Sequence, residues 1–239
     1  MSKKTEPGAL DKTRQGAGEV DAFVREVGKL PAQGRAGGSR GRLLFCMDAT
    51  ASREPTWDHA CGIQGEMFVA TDALGGLDVR LAFYRGYEEF KVSRWTSDGR
   101  ELARLMSSVR CLAGRTQIAR MLRYAGEQRR ESRMDAVVFV GDCCEEDVDA
   151  VGHEAGQLGL LGLPVFVFQE GSDRAASRIF PQIAKLTRGA YCRFDRSSPD
   201  QLKRLLGAVA AYAAGGRDAL LKYGRDQGGV AALLTNQMK

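Results

Sequence analysis

Short apolar runs that alternate with longer amphipathic segments constrain the fold of this chain more than any other feature. From Arg42 onward the apolar runs include residues 43–48, 136–140 and 164–168, and their length and polar boundaries predict strands. Residues 136–140 are apolar at every position, as expected for a strand covered on both faces of a sheet. Strands separated by helical segments predict a mostly parallel sheet with helices on both sides.

The remaining elements complete an α/β pattern. Residues 77–84 and 88–95 are predicted strands joined by a turn at Arg85-Gly86, and so short a connection predicts a hairpin with one antiparallel strand. A last strand is predicted at residues 190–194. Helices are predicted at residues 57–74, 98–109, 116–130, 145–158, 175–188 and 199–214. The predicted architecture is therefore a three-layer α/β fold with one antiparallel edge strand.

The chain divides into one large domain and two extensions. With 239 residues it is long enough to bury one full core. Residues 1–41 are rich in Gly, Lys and Arg and are predicted to form a tail with a short helix at residues 19–30. We expect the domain at residues 42–214 and a helical C-terminal extension at residues 215–239.

Charge and composition argue against nucleic-acid and membrane functions. The net charge of +5 is mild, and the Arg-rich residues 120–133 fall on a predicted amphipathic helix, which favours a solvated face. No run approaches the ~20 apolar residues of a membrane span, and the N-terminus shows no apolar signal region. Six cysteines without a CxxC pair or framework spacing predict free thiols, and therefore a cytoplasmic location.

Oxygen-bearing side chains follow the first predicted strand and recur in two later loops. Asp48, Thr50 and Ser52 alternate along an extended chain, so all three are expected to project toward one point. Thr116 stands at a predicted helix N-cap, and Asp142 follows the apolar strand at residues 136–140. Carboxylates and hydroxyls suit hard cations such as Mg²⁺, Mn²⁺ or Ca²⁺ and do not favour zinc. The sequence thus predicts a composite cation site.

This set of residues resembles the metal-ion-dependent adhesion site of the von Willebrand factor A (VWA) domain family. The family pattern is Asp-x-Ser-x-Ser, then a Thr before a helix, then an Asp after a central strand. The matching positions in this chain are Asp48, Thr50, Ser52, Thr116 and Asp142. Thr50 replaces the first Ser and keeps its hydroxyl, whereas Cys143 replaces the glycine that commonly follows the last Asp. In element order the resemblance spans about residues 42–214.

The resemblance implies a Rossmann-like VWA domain that binds proteins and is not an enzyme. It further implies a divalent cation, usually Mg²⁺, with one coordination position open for an Asp or Glu of a partner protein. Intracellular bacterial members of this family often work beside AAA-type ATPases or in stress-response assemblies. Such an assembly is therefore an implied partner, and no nucleic acid or membrane is expected.

Two alternatives remain open at this stage. An Asp after a first strand also resembles the haloacid-dehalogenase-like phosphatases, in which Asp48 would be the nucleophile. The other roles would fall to Thr116 and Lys185 for the phosphoryl group and to Asp142 and Glu146 for Mg²⁺. That family places an Asp as general acid two residues after the nucleophile, where this chain has Thr50. The second alternative is a VWA scaffold with a degenerate, metal-free site. On a capping interpretation, residues 48–52 form a helix-capping turn, and the acidic residues among positions 145–149 complement a helix dipole.

Overall fold

The computed structural model describes residues 40–55, 57, 77–194 and 207–213, together with the isolated positions 26, 215, 218, 219, 222 and 223. The predicted tail helix at residues 19–30 lies outside the described residues apart from Glu26, which is helical. The predicted helix at residues 57–74 lies outside them apart from Trp57. Most of the predicted C-terminal extension also lies outside, so the proposed division into three segments stays a prediction.

The described elements follow the predicted order. The strands are β1 (Gly41–Asp48), β2 (Leu77–Arg85), β3 (Glu89–Val92), β4 (Ala136–Gly141), β5 (Val165–Glu170) and β6 (Tyr191–Phe194). The helices are α1 (Gly99–Ser108), α2 (Ile118–Glu131), α3 (Val148–Leu160) and α4 (Arg174–Leu186), with a 3₁₀ turn at Ala51–Arg53. Residues 207–213 are helical and lie within the predicted helix at residues 199–214.

Strand β3 is shorter than the predicted residues 88–95 because a side chain interrupts its pairing with β2. The hydroxyl of Ser93 accepts a hydrogen bond from the backbone N–H of Leu81 at 3.0 Å, and so it replaces a backbone acceptor. Pairing resumes only as an isolated bridge between Val79 and Thr96. The alternation of apolar residues in the sequence does not reveal that a side chain competes with the backbone for the N–H of Leu81.

The order of the strands places a switch point between β1 and β4. The six-stranded sheet has the order β3-β2-β1-β4-β5-β6; only the β2–β3 pair is antiparallel. Met47 of β1 pairs with Val140 of β4, so Asp48 and Gly141 end these two strands side by side. In open α/β sheets, ligands bind beyond the carboxyl ends of the strands at such a switch point. A ligand site is therefore expected in the loops that follow β1 and β4.

Two apolar cores cover the two faces of the sheet, as the three-layer prediction requires. Side chains of β1 alternate between them, with Phe45 in one core and Cys46 in the other. Helices α2, α3 and α4 cover one face, whereas α1 and helical residues 207–213 cover the other. Among the helices described, none combines the length and apolarity that a bilayer-spanning segment needs.

Candidate metal centre

Asp48 ends β1 as a buried carboxylate that its neighbours hold in place. One carboxylate oxygen accepts a hydrogen bond from the backbone N–H of Thr50 at 2.7 Å. The other accepts from the hydroxyl of Tyr84, on the adjacent strand β2, at 3.0 Å. Burial raises the pKa of Asp48 from 3.8 to about 6; the charge of Asp142 adds to this rise, while Thr50 and Arg53 oppose it. An ionised Asp48 is therefore costly unless positive charge lies nearby.

Asp142, directly after β4, brings a second buried carboxylate to the same point. One carboxylate oxygen each of Asp48 and Asp142 and the sulfur of Cys143 all lie within 4.8 Å of one another. Within the part of the chain that the structure describes, Oδ1 of Asp142 is buried and has no hydrogen-bond partner. Buried polar atoms in folded proteins are nearly always paired. This unpaired oxygen beside a second carboxylate is the arrangement that a bound cation would satisfy.

The hydroxyls of Thr50 and Ser52 lie next to each other in the first loop (residues 49–53). Their oxygen atoms are 3.1 Å apart; Thr50 is buried and Ser52 is exposed. Thr50 occupies the N-cap position of the 3₁₀ turn, yet its side chain makes no capping hydrogen bond. Capping therefore explains the carboxylate of Asp48, which binds the N–H of Thr50, but it does not explain the two hydroxyls.

Thr116, in the second loop (residues 112–117), does not cap α2, and this prediction was wrong. Helix α2 begins at Ile118, and a side chain from elsewhere caps it: the carboxylate of Glu146 accepts from the N–H groups of Ile118 and Ala119. A carboxylate at a helix N-terminus satisfies free donors and complements the helix dipole. The buried hydroxyl of Thr116 instead accepts from the N–H of Glu145 at 3.1 Å, which joins the second loop to the third.

Acidic residues of the third loop (residues 142–147) act mainly on helices. Glu146 caps α2, and Asp147 caps α3 by accepting from the N–H groups of Asp149 and Ala150 at 2.7 and 3.4 Å. Glu145 is exposed. Glu146 and Asp147 therefore act as helix caps, whereas Asp142 and Cys143 of this loop lie beside Asp48.

Backbone contacts fasten the second loop to its neighbours. The N–H of Leu112 donates to the carbonyl of Ala49 at 3.0 Å, and the N–H of Arg115 donates to the carbonyl of Gly86 at 3.0 Å. A Cβ atom on Gly114 would lie 1.9 Å from the oxygen of Gly86, so only glycine allows this approach. The loops that carry the predicted ligands are thus bonded to one another at the carboxyl edge of the sheet.

A buried ion pair beneath the first loop escaped the sequence analysis. The guanidinium of Arg53 donates from Nε and Nη2 to Oε2 of Glu170 at 3.1 and 2.9 Å, and from Nη1 to the carbonyl of Asp48 at 2.9 Å. Both side chains are buried, and the pair reaches from the first loop across β4 to the end of β5. In the sequence, the polar residues Gln169 and Glu170 at the end of an otherwise apolar strand were the signal from which a buried polar contact could have been predicted.

The phosphatase alternative assigns roles that the structure does not bring together. Lys185 lies in the last turn of α4, which runs from the carboxyl end of β5 back to the start of β6. Lys185 is exposed, and it lies near the end of the sheet where the parallel strands begin, whereas Asp48 lies at the end where they finish. Both carboxylate oxygens of Glu146 are occupied as the cap of α2. Neither residue is placed for phosphoryl transfer at Asp48.

Comparison with known proteins identifies the fold. No family model and no curated protein sequence matches the chain. A von Willebrand factor type A structure from Catenulispora acidiphila is similar with 15% identity and a TM-score of 0.55, over 76% of this chain and 47% of that one. Proximal thread matrix protein 1 from the mussel byssus, with a zinc-occupied MIDAS motif, is similar with 14% identity and a TM-score of 0.55, over 72% of this chain and 48% of that one.

A third structure matches over almost its whole length. The SpRpn10 VWA domain is similar with 11% identity and a TM-score of 0.51, over 75% of this chain and 98% of that one. The first two structures are longer, and the chain spans less than half of each. Identities this low establish the fold alone. The chain has the VWA fold that its sequence predicted.

Proposed function

We propose that this chain of VWA fold is a metal-dependent protein-binding module, which holds a divalent cation and captures an acidic side chain of a partner protein through it. The observation that carries the proposal is the buried Oδ1 of Asp142, which has no hydrogen-bond partner among the described residues and lies in a cluster with the carboxylate of Asp48. Two buried carboxylates this close repel each other when both are ionised. A divalent cation between them removes the repulsion and satisfies the unpaired oxygen.

The proposed ligands are Asp48, Thr50, Ser52, Thr116 and Asp142, each binding directly or through water. The carboxylates balance the charge of the cation, and the neutral hydroxyls leave it able to attract a further carboxylate. Among the described residues, each oxygen of Asp48 accepts one hydrogen bond, which leaves a second lone pair for a metal or a water. Mg²⁺, Mn²⁺ or Ca²⁺ fits the oxygen donors, and the zinc-occupied motif of the mussel byssus protein supports a metal in this kind of fold.

The proposed role is binding and not catalysis. The position two residues after Asp48 carries a hydroxyl in place of the general acid that phosphoryl transfer would require. Lys185, the proposed phosphoryl ligand, lies at the other end of the sheet. The partner is a protein that offers an Asp or Glu. From the resemblance to intracellular bacterial VWA proteins, we extend the proposal to a cytoplasmic assembly with an AAA-type ATPase or a stress-response protein.

The experiment that tests this proposal titrates Mn²⁺ into the protein and follows the relaxation rate of water protons. We expect one site per chain with an enhanced rate, because an open coordination position exchanges water. Acetate, a small carboxylate probe, should lower the enhancement by displacing that water. Asp142→Asn should abolish binding, whereas Glu145→Gln, which removes a charge from the same loop, should leave it unchanged.

Two outcomes would contradict the proposal. Absence of binding by the folded wild-type protein of Mn²⁺, and of Co²⁺ in a parallel titration, would remove the metal site. An enhancement that acetate leaves unchanged would remove the capture of carboxylates. A parallel assay with p-nitrophenyl phosphate addresses the phosphatase alternative, which would gain support from turnover that disappears in Asp48→Asn.

A further inference from the structure

A thiol lies inside the proposed oxygen site. The sulfur of Cys143 lies within 4.8 Å of a carboxylate oxygen of both Asp48 and Asp142, and these three side chains form one potential metal-binding group. Cys143 therefore lies close to the carboxylates of both Asp48 and Asp142, at the position where the VWA pattern usually has glycine.

The neighbouring residue, Cys144, has a different environment. This difference distinguishes Cys143, a candidate ligand, from Cys144, a core packing residue. Cys144 is buried in the apolar core beneath helices α2 to α4, where Cys acts as a small apolar side chain. Cys143 is only partly buried and faces the two carboxylates. An independent observation also indicates a ligand here, since the buried Oδ1 of Asp142 in the same group has no partner among the described residues.

We propose that Cys143 is a thiolate ligand of the metal centre, and that it makes the centre select Zn²⁺ over Mg²⁺. The proposal rests on the metal site proposed above and refines which cation that site takes. As the sulfur–metal bond forms, the S–H proton leaves to solvent, so the bound ligand is a thiolate. Zn²⁺ accepts mixed sulfur and oxygen donors, whereas Mg²⁺ and Ca²⁺ require oxygen.

The thiolate also changes the charge at the site. Together with Asp48 and Asp142 it supplies a third negative donor, which a hydroxyl or a backbone at this position would not do. The expectation from the sequence that oxygen donors disfavour zinc is thereby reversed by one neighbouring side chain. Replacing Cys143 with Gly, the residue common in the VWA pattern, should shift the preference of the site back toward Mg²⁺.

Binding of Co²⁺, a spectroscopic substitute for Zn²⁺, tests this inference. We expect a sulfur-to-cobalt charge-transfer band in the near ultraviolet for the wild type and for Cys144→Ala. The band should be absent in Cys143→Ser and Cys143→Gly. The affinity for Zn²⁺, measured by competition with a chelator, should fall at least about tenfold in Cys143→Ser, because even indirect partners of a metal contribute that much. Circular dichroism checks that each variant is folded.

The outcomes separate this inference from the proposed function. Co²⁺ binding without the charge-transfer band, or a band that survives in Cys143→Ser, would overturn the thiolate ligand and leave the metal site in place. Equal affinity of the wild type and Cys143→Ser for Zn²⁺ would do the same. Failure of the folded wild type to bind either Mn²⁺ or Co²⁺ would overturn the metal site itself.

Discussion

Replacing Asp48 with Asn is expected to abolish stabilisation by divalent cations and to make the metal-free protein more stable at neutral pH. The pKa of Asp48 is raised from 3.8 to about 6, chiefly by burial, so the ionised carboxylate destabilises the folded state. A shift of this size corresponds to at most about 3 kcal/mol in the free energy of unfolding. Asn keeps an oxygen that accepts from the N–H of Thr50, and its NH₂ group can donate to the hydroxyl oxygen of Tyr84, which then becomes the acceptor.

The pH dependence of this effect has a definite sign. Because the pKa of Asp48 is raised in the folded state, its contribution is fully present below pH 3.8 and is lost as the pH rises through about 6. In the presence of a chelator, the free energy of unfolding of the wild type should therefore fall relative to that of Asp48→Asn as the pH rises through that interval. Added Mg²⁺ or Zn²⁺ should reverse the trend for the wild type, because the cation holds the carboxylate in its ionised form.

Urea unfolding at about pH 4 and about pH 8, with chelator or with metal, measures both effects as changes in the free energy of unfolding. Glu145→Gln is the control, since it removes an exposed carboxylate from the third loop and should change neither quantity. Equal stabilisation of the wild type and Asp48→Asn by metal would contradict the assignment of Asp48 as a ligand.

Replacing Arg53 with Met is expected to lower the free energy of unfolding by about 3–5 kcal/mol, since it removes the guanidinium that pairs with the buried carboxylate of Glu170. The pair is inaccessible to water, with Arg53 0% and Glu170 2% exposed, so solvent does not screen the loss. The substitution also removes the donor to the carbonyl of Asp48, which holds the first loop over the sheet. We therefore expect a weaker response to metal as well.

Two further variants separate the charge from the packing. Arg53→Met combined with Glu170→Leu removes both charges and should recover most of the lost stability, because neither charge then has to be buried. Arg115→Met removes an exposed Arg from the second loop and should change stability by no more than about 0.5 kcal/mol. Chemical denaturation of the three variants measures these differences. A loss below about 1 kcal/mol for Arg53→Met would mean that the pair behaves like a surface ion pair.

The fold was accessible from the sequence because the pattern of each element agrees with its neighbours. The fully apolar residues 136–140 indicated a strand covered on both faces, and the short turn at Arg85-Gly86 indicated the antiparallel edge. The same pattern placed Asp48 and Asp142 at the ends of two strands. Strands β1 and β4 are adjacent in the sheet at the point where the strand order reverses. This adjacency brings the two carboxylates together.

The contacts that support the site were not accessible in the same way. Arg53 and Glu170 are 117 positions apart and meet because the turn after β1 and the end of β5 lie at the same end of the sheet, on either side of β4. Likewise, Thr116 is a residue type that often caps helices, but the N-terminus of α2 is capped by Glu146 from a loop distant in sequence. Local propensity cannot anticipate a side chain that tertiary structure delivers from elsewhere. The proximity of the Cys143 sulfur to both carboxylates is also a product of loop packing.

An anomalous difference map from crystals of the wild type grown with Mn²⁺, and again with Zn²⁺, locates a bound metal most directly. We predict one peak in the described part of the chain at coordination distance from Asp142, flanked by Asp48 and the hydroxyls of the first loop. The Zn²⁺ peak should also contact the sulfur of Cys143. A well-ordered map with no peak between Asp48 and Asp142, or a peak bound elsewhere, would contradict the assignment of this edge of the sheet as a metal centre.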